Sequence, residues 1–512
     1  MVNPMWLGSG KSAGSRPADA RAPLRFPRLP RRSLQLASAQ PTPIAVPLSD
    51  LLRRARALFI AMLAVPAMIA SLALPAGAAD KLDEWSRMDF RQIVAGSKDK
   101  VFPTVVFIRC LRESMEGGRK QTQEVSGSGV LISATGEVLS NWHVVEKATE
   151  VRCLLFNGHA YEAKIVGLDK DTDISLLQLK LKPGEPPLPF APLGDSMKLK
   201  EGDFVMAMGA PWGLSRSVSI GIVSCTRRFL PGVSEYSLWL QTDAAISPGN
   251  SGGPLVNTSG EVIGINTRGI MSGGDTGFAI PSTVIRELVS QIRAHGKIPW
   301  SWTGLQLQPL RDFNKNIYFD ATEGVVVAET DPESPAKRAG IQTGDRILRL
   351  NGESLTATTE EDLPDLRRRL GLLAKGKPAK LEVVRQGNVM NIELTPREKG
   401  RVEGEELDCP RWDFTVKVIN QFDNPDLYFH RTKGVFVYGT KSPGNAQSAG
   451  LQSRDILLKI DGQDVLTLDD VRGLHKKAIG NVATKPRLVF SVLRGGLLRQ
   501  IVLDFSRNYE KD

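Results

Sequence analysis

The chain has 512 residues, enough for two to four domains. Its formal net charge is +10, but residues 1–56 hold ten Lys and Arg against only Asp19 and Asp50. The surplus there leaves residues 57–512 almost neutral, which excludes a basic nucleic-acid-binding surface as the chain's purpose.

The first segment, residues 1–79, reads as targeting sequence. Arg53, Arg54 and Arg56 precede an apolar run over 57–74, and the small residues Ala76-Gly77-Ala78-Ala79 follow. That pattern suits cleavage by signal peptidase near Ala78 or Ala79. The run also has the length of a membrane anchor, although Pro66 weakens that alternative. In either case the positive side stays inside and residues 80–512 are exported. The expected location is the bacterial periplasm, with a mitochondrial or plastid compartment as the alternative. Residues 1–50, rich in Pro, Arg and Ala, are either an upstream extension or an organellar transit peptide. Cys110, Cys153, Cys225 and Cys409 have no metal-ligand spacing, and with five histidines there is no case for zinc. We expect no metal and no cofactor. Cys110 and Cys153 are either a disulfide or two buried thiols.

From 104 to 280 the chain gives short apolar runs separated by Gly, Pro, Asn and Asp. They cover 104–110, 130–133, 151–156, 160–166, 174–179, 204–208, 236–240 and 262–265. Short strands at this spacing predict an all-β sandwich or barrel. A helix follows, with Val284, Ile285, Leu288, Val289 and Ile292 on one face. Ser282 is placed to cap it and Gly296 to end it.

Within this region the run Gly249-Asn250-Ser251-Gly252-Gly253-Pro254 sets one serine among small residues. A nucleophilic serine needs an exposed Oγ and neighbouring N–H groups aimed at the attacked carbonyl. On the run alone, a plain turn and a nucleophile stand about even. The base and its orienter shift the balance. His143 closes the strand-like stretch Leu139-Ser140-Asn141-Trp142-His143, and Asp173 stands just before the apolar run Ile174–Leu179. A half-buried carboxylate there can hold an imidazole tautomer. The order His, Asp, Ser is that of chymotrypsin-type enzymes, not of subtilisin or the α/β-hydrolases.

Residues 90–297 resemble the protease domain of the HtrA (Deg) family of chymotrypsin-fold serine proteases. The matching stretches include Ser126-Gly127-Ser128-Gly129-Val130, Asn141-Trp142-His143-Val144-Val145, Thr172-Asp173-Ile174, Gly209-Ala210-Pro211-Trp212-Gly213-Leu214, Gln241-Thr242-Asp243-Ala244-Ala245-Ile246 and Ser247-Pro248 before the serine run. The resemblance implies two perpendicular β-barrels over 80–298, with His143 as general base, Asp173 as orienter and Ser251 as nucleophile. It places the oxyanion hole at Gly249, Asn250 and Ser251. Ala245, six residues before the nucleophile, would lie at the base of the primary pocket, with Ile246, Ile265 and Asn266 beside it. That lining implies cleavage after small-to-medium apolar residues. Arg268, in the loop expected after Val262–Thr267, either narrows the pocket or is solvated. The family also implies a homotrimer or larger cage.

The second half contains a repeat. Residues 323–352 and 433–462 align without gaps at an offset of 110, from Gly324-Val325 onto Gly434-Val435 and from Asp345 onto Asp455. Asn351-Gly352 and Asp461-Gly462 are hairpin turns. Both copies resemble PDZ domains, over 305–398 and 412–508. Such domains take an extended peptide along a strand edge. The resemblance points to Gly324, Val325 and Val326 in the first copy and Gly434, Val435 and Phe436 in the second as peptide-binding residues. The second copy departs from the pattern at Ser453-Arg454-Asp455, where Gly-Asp is expected, and has a more polar approach over 412–432.

The fold class expected is therefore mainly β: a chymotrypsin-like double barrel followed by two small α+β PDZ domains. The expected function is serine endopeptidase action on unfolded or misfolded proteins, with C-terminal peptides at the PDZ domains biasing loops near Ser251, including 227–236. The alternative is a chaperone or PDZ adaptor with gated or rare proteolysis.

Overall fold

The computed structural model describes residues 89–211, 216–270, 276–314 and 321–509. The targeting segment and the apolar run 57–74 lie outside them.

Helix α1 (Phe90–Val101) leads in, capped by the Asp89 carboxylate, which accepts from the Arg91 N–H at 2.9 Å. The first barrel closes through β1 (Val105–Ser114), β2 (Gln121–Leu131), β3 (Glu137–Ser140), β6 (Ile174–Leu179), β5 (Ala160–Asp169) and β4 (Ala148–Leu154), in that spatial order. The second closes through β10 (Pro254–Asn257), β11 (Val262–Ile270), β12 (Thr276–Pro281), β9 (Trp239–Thr242), β8 (Ser217–Arg228) and β7 (Phe204–Gly209). Closure leaves neither sheet a free edge. Each barrel is filled by inward-facing aliphatics, such as Ile108, Leu131 and Leu177 in the first and Val205, Leu240 and Leu255 in the second.

Strand ends are where the sequence pattern falls short. The apolar signal at 130–133 marks only the end of β2. The polar, Gly-rich stretch from Gln121 becomes strand because β1 pairs with it from Ser114↔Gln121 to Val105↔Val130. Conversely, Tyr236 lies outside β9; it is buried by stacking on Trp300 at 4.1 Å. β11 continues to Ile270, so Arg268 belongs to a strand and not to a loop.

Helix α2 (Trp142–Val145) is a single turn between β3 and β4, and it carries His143. Helix α3 (Ser282–His295) buries Val284, Ile285, Leu288, Val289 and Ile292, the face its periodicity marks, and ends at Gly296 with φ +70°. Ser282 does not cap it. Pro281 holds that position, while the Ser282 hydroxyl donates to the Gly194 carbonyl at 2.8 Å.

The repeats form two separate sheets. A short pair, β13 (Ser301–Trp302) with β20 (Arg397–Glu398), closes the neck of the first. Its sheet runs β14 (Leu305–Gln308), β15 (Val325–Thr330), β16 (Arg346–Leu350), β18 (Ala379–Arg385) and β19 (Asn388–Leu394), with β17 (Glu353–Ser354) beside β16. The second runs β21 (Glu406–Cys409), β22 (Phe414–Val418), β23 (Val435–Thr440), β24 (Ile456–Ile460), β26 (Arg487–Arg494) and β27 (Leu497–Asp504), with β25 (Gln463–Asp464) beside β24. Its sheet thus begins before residue 412. Helices α4 (Leu363–Gly371) and α5 (Leu468–Gly480) occupy the same place in the two copies. The repeated acidic residues have one structural reason. Asp345 and Asp455 are buried, and each takes a two-pronged contact, from Arg385 at 2.7 and 2.6 Å and from Arg494 at 2.6 and 2.6 Å.

The expected peptide-binding residues need correction. Gly324 leads into β15, which carries Val325 and Val326 and is paired on one side by β14 and on the other by β16. Gly434 leads into β23, which carries Val435 and Phe436 and lies between β22 and β24. An added strand needs unpaired backbone groups, and an inner strand has none to give. The four apolar residues are core. In the first copy the strand available to a peptide in this topology is the outer one, β14; its counterpart in the second copy, β22, is already paired by β21.

Candidate active site

The two barrels meet where α2, the turn before β6 and the turn before β10 converge. Asp173 sits at the end of a tight turn with φ +57°, a conformation Asp tolerates better than most residues. The turn is held from within: Asp169 Oδ2 accepts from the Thr172 N–H at 2.9 Å and its hydroxyl at 2.6 Å, while Asp169 Oδ1 accepts from the Trp300 indole at 2.8 Å. Burial, reinforced by the Asp171 charge, pushes the Asp169 carboxyl up to about 6.

Asp173 is buried, and both its oxygens lie 2.9 Å from Nδ1 of His143. The same carboxylate accepts from the His143 backbone N–H at 3.1 Å and from the Thr267 hydroxyl at 3.1 Å. Asn141 Nδ2 ties the arrangement together by donating to the Asp173 carbonyl at 3.1 Å and to Thr267 Oγ1 at 2.6 Å. The imidazole is therefore fixed through one nitrogen, with the ring still partly exposed for work at the other.

Ser251 comes from the second barrel. Gly249, at φ +98°, packs so closely on Pro211 that a Cβ would stand 2.7 Å from its Cα. Only glycine suits that backbone. Ser128 of β2 is fully buried beneath the turn: its hydroxyl donates to the Gly249 carbonyl at 2.6 Å and accepts from the Ala210 N–H at 2.8 Å. Its N–H also donates to the Ser251 carbonyl at 2.8 Å. The Ser251 hydroxyl itself donates to the Thr267 carbonyl at 3.0 Å, not to His143.

Two expectations change here. The Asn250 N–H donates to the Ser247 carbonyl at 3.0 Å and its side chain accepts from Ser217 at 3.1 Å. The Asn250 backbone N–H is thus committed to the turn and not to an oxyanion. The N–H groups of Gly249 and Ser251 make no such bond among the described residues. At the pocket, Ala245 and Ile246 are half-buried, and Ile246 fills the space left by the missing side chain of Gly277, where a Cβ would meet it at 2.7 Å. Ile265 and Asn266 are closed off. Ile265 belongs to the barrel core, and Asn266 Nδ2 donates to the carbonyls of Met208 and Pro254 at 3.2 and 3.0 Å.

Sequence reasoning missed Thr267, Asn141 and Ser128 as site residues. Asn141 and Ser128 lie inside stretches that carry the family resemblance, which was a usable signal. Thr267 had none, because its role depends on β11 passing behind Asp173. The cysteines are free thiols. Burial pushes Cys110 up to about 12 and raises Cys153 further. Among the described residues no cluster of His, Cys, Asp or Glu could hold a metal.

A double barrel with this constellation, followed by a PDZ fold, defines a trypsin-like serine endoprotease. Residues 127–265 match the trypsin-like peptidase domain and residues 303–395 the PDZ domain. A probable periplasmic serine endoprotease DegP-like from Chlamydia muridarum is 31% identical over 392 residues, covering 75% of each chain. One from Pseudomonas putida (strain GB-1) is 41% identical over 389 residues, covering 73% of this chain and 79% of its own. The solved structure of HtrA-type protease AlgW with tripeptide shares 31% identity and a TM-score of 0.53, over 60% of this chain and 97% of that one. The chain belongs to the HtrA (DegP-like) family of serine endoproteases. Homologues carry the description periplasmic; among the described residues no helix is long and apolar enough to cross a membrane.

Proposed function

We propose that the chain hydrolyses peptide bonds of unfolded or damaged proteins through an acyl-enzyme on Ser251, in an extracytoplasmic compartment. The observation that carries this reading is the buried Asp173 carboxylate, 2.9 Å from Nδ1 of His143 through both oxygens. With Nδ1 so engaged, the outer nitrogen is left free to act as a base. Rotation about the Ser251 Cα–Cβ bond releases Oγ from the Thr267 carbonyl toward that nitrogen. Oγ then attacks the scissile carbonyl as its proton passes to His143. The oxyanion faces the N–H groups of Gly249 and Ser251, donors that count most in a dry, preorganised site. His143 returns the proton to the departing amine, and water repeats the sequence to free Ser251. Ala245 and Ile246 favour a small or medium apolar residue before the cut bond.

The engaged Ser251 hydroxyl supports a second element, gating. Arg227, one residue before β8 ends at Arg228, pairs with Asp365 of α4 at 3.2 Å, and Arg368 of α4 donates to the carbonyl of Tyr236, at the far end of the loop that follows, at 2.9 Å. A peptide beside α4, on the open edge of β14, therefore has a direct route to this loop. Assembly as a homotrimer or larger is part of the same reading. The test incubates purified residues 80–512 and the Ser251→Ala variant with an unfolded protein, with and without apolar-ended peptides. Cuts after small apolar residues that vanish in the variant support the protease reading. Equal suppression of aggregation by both proteins, with no cuts under any condition, replaces it with a chaperone or adaptor.

A further inference from the structure

We propose that β21, Glu406–Cys409, is a tethered ligand: it fills in cis the groove that the first PDZ copy leaves open, so the second copy clamps the chain and does not capture C-terminal peptides. The two copies are equivalent strand for strand, β14 matching β22 and β15 matching β23. The outer edge of β14 carries no strand among the described residues. The outer edge of β22 is covered over four consecutive pairs, from Glu406↔Lys417 to Cys409↔Phe414, antiparallel. This is strand addition, the mode by which such domains take an extended peptide, with the added strand supplied by the preceding linker.

Alternation along β21 divides its work. Leu407 and Cys409 face the groove: Cys409 is fully buried in one core with Val471 and Ala478 of α5, and Leu407 packs against that core. The following turn drives Trp412 edge-on against His475 of α5, with ring centroids 4.7 Å apart. The pocket that would receive a peptide's apolar side chains is therefore full. Glu406 and Asp408 face the protease: Glu406 pairs with Lys147 at 2.5 Å, and Asp408 accepts from the Lys120 N–H at 2.9 Å.

The segment before β21 is pinned to the turn that ends in Asp173. Lys399 pairs with Asp171 at 2.8 Å. Lys170 pairs with Glu403 at 3.1 Å and with Asp423 of the second copy at 2.9 Å. A peptide competing for the β22 edge would have to displace β21 and pull this linker from the turn. Half-buried ion pairs resist such separation, because breaking one leaves an uncompensated charge. Occupancy of the second groove is thereby tied to the position of Asp173.

The test uses the full chain carrying Ser251→Ala. It is photo-crosslinked to benzophenone-bearing decapeptides ending in Val, Leu or Phe, and hydrogen exchange is followed with and without them. Adducts are expected at 303–314 and 363–373 and not at 414–418 or 468–480. Amides of 406–409 should exchange at least a hundredfold more slowly than those of an exposed loop, peptide present or absent. Adducts on β22 or α5 of this chain, or fast exchange at 406–409, overturn the proposal; with no adducts anywhere, the exchange result decides alone. Leu407→Asp, a charge turned into the groove, should release 406–409 to fast exchange while β24 and β26 stay protected. In the chain with Ser251 intact, the same substitution should lower kcat severalfold at unchanged KM. Retained slow exchange at 406–409 in Leu407→Asp, or unchanged kcat once they are released, counts against the clamp. The exchange readout does not depend on proteolysis, so failure of the protease reading is distinguishable from failure of this one.

Discussion

The two barrels contribute to the site in opposite ways. The first delivers a finished pair: His143 and Asp173 are locked together by their side chains and by the His143 backbone, with the Asp169–Asp173 turn braced beneath them. The second delivers the proposed nucleophile held elsewhere, with Ser251 bonded to the Thr267 carbonyl. In the proposed mechanism, rigid binding of base and orienter removes the need to order them at each turnover. A nucleophile that must rotate leaves a point at which activity can be withheld. Thr267 belongs to both arrangements, since its hydroxyl supports Asp173 while its carbonyl holds Ser251.

The largest break in this comparison removes the first barrel's orienter. Asp173→Asn should lower kcat by about ten-thousandfold, the scale seen when a triad carboxylate is lost and the imidazole takes the wrong tautomer. Steady-state cleavage of a chromogenic peptide measures it; a loss under tenfold would mean that Asp173 does not orient His143. Next comes the brace beneath the second barrel's turn. Ser128→Ala removes two buried hydrogen bonds and should reduce kcat about a hundredfold, the effect of misplacing an oxyanion donor. KM should change little, and single-turnover acylation would place the loss at the chemical step. Thr267→Val deletes the hydroxyl's bond to Asp173 and its acceptance from Asn141, so its cost should be about tenfold or a little more, on the order of one to two hydrogen bonds. The carbonyl that holds Ser251 remains, which separates the residue's two roles.

The Asp169 brace predicts a pH effect on stability. Its folded-state carboxyl stands at about 6, above the roughly 3.9 of an unfolded Asp. The folded state therefore binds the proton more tightly, and this residue's destabilising contribution, full above about pH 6, is relieved as pH falls toward 4. Against Asp169→Asn, which does not titrate, the wild-type unfolding temperature should gain on the variant between pH 6 and 4. A constant difference across that window would refute the raised value.

The smallest effect lies in the repeats. Arg454 adopts φ +75°, where the first copy has Gly344 at φ +88°. Its pairing with Asp426 is between exposed groups and contributes little. Arg454→Gly should stabilise the second copy by about 1 kcal/mol, visible in chemical denaturation and absent from kcat.

Particular residues show what was legible before the structure. Asp173, His143 and Ser251 could be picked out because each sits beside a local pattern, and the offset of 110 exposed the repeat. The face of α3 followed from its spacing. Ile265, Asn266 and the edge valines failed for one shared reason: strand alternation says which residues point in or out, but not whether a partner strand covers them. Gln121 to Gly127 failed conversely, since only β1 makes a strand of a polar stretch.

The sequence by itself determined the fold class, the repeat and the order of His143, Asp173 and Ser251, because these depend on local periodicity and on glycines that permit tight turns. The tertiary structure decided where the Ser251 hydroxyl points, that Asn250 belongs to its turn, and that β21 closes the second groove. The first depends on the Thr267 carbonyl that β11 brings to Ser251, the second on Ser217 of β8 together with the local bond to Ser247, and the third on which strand reaches an open edge first.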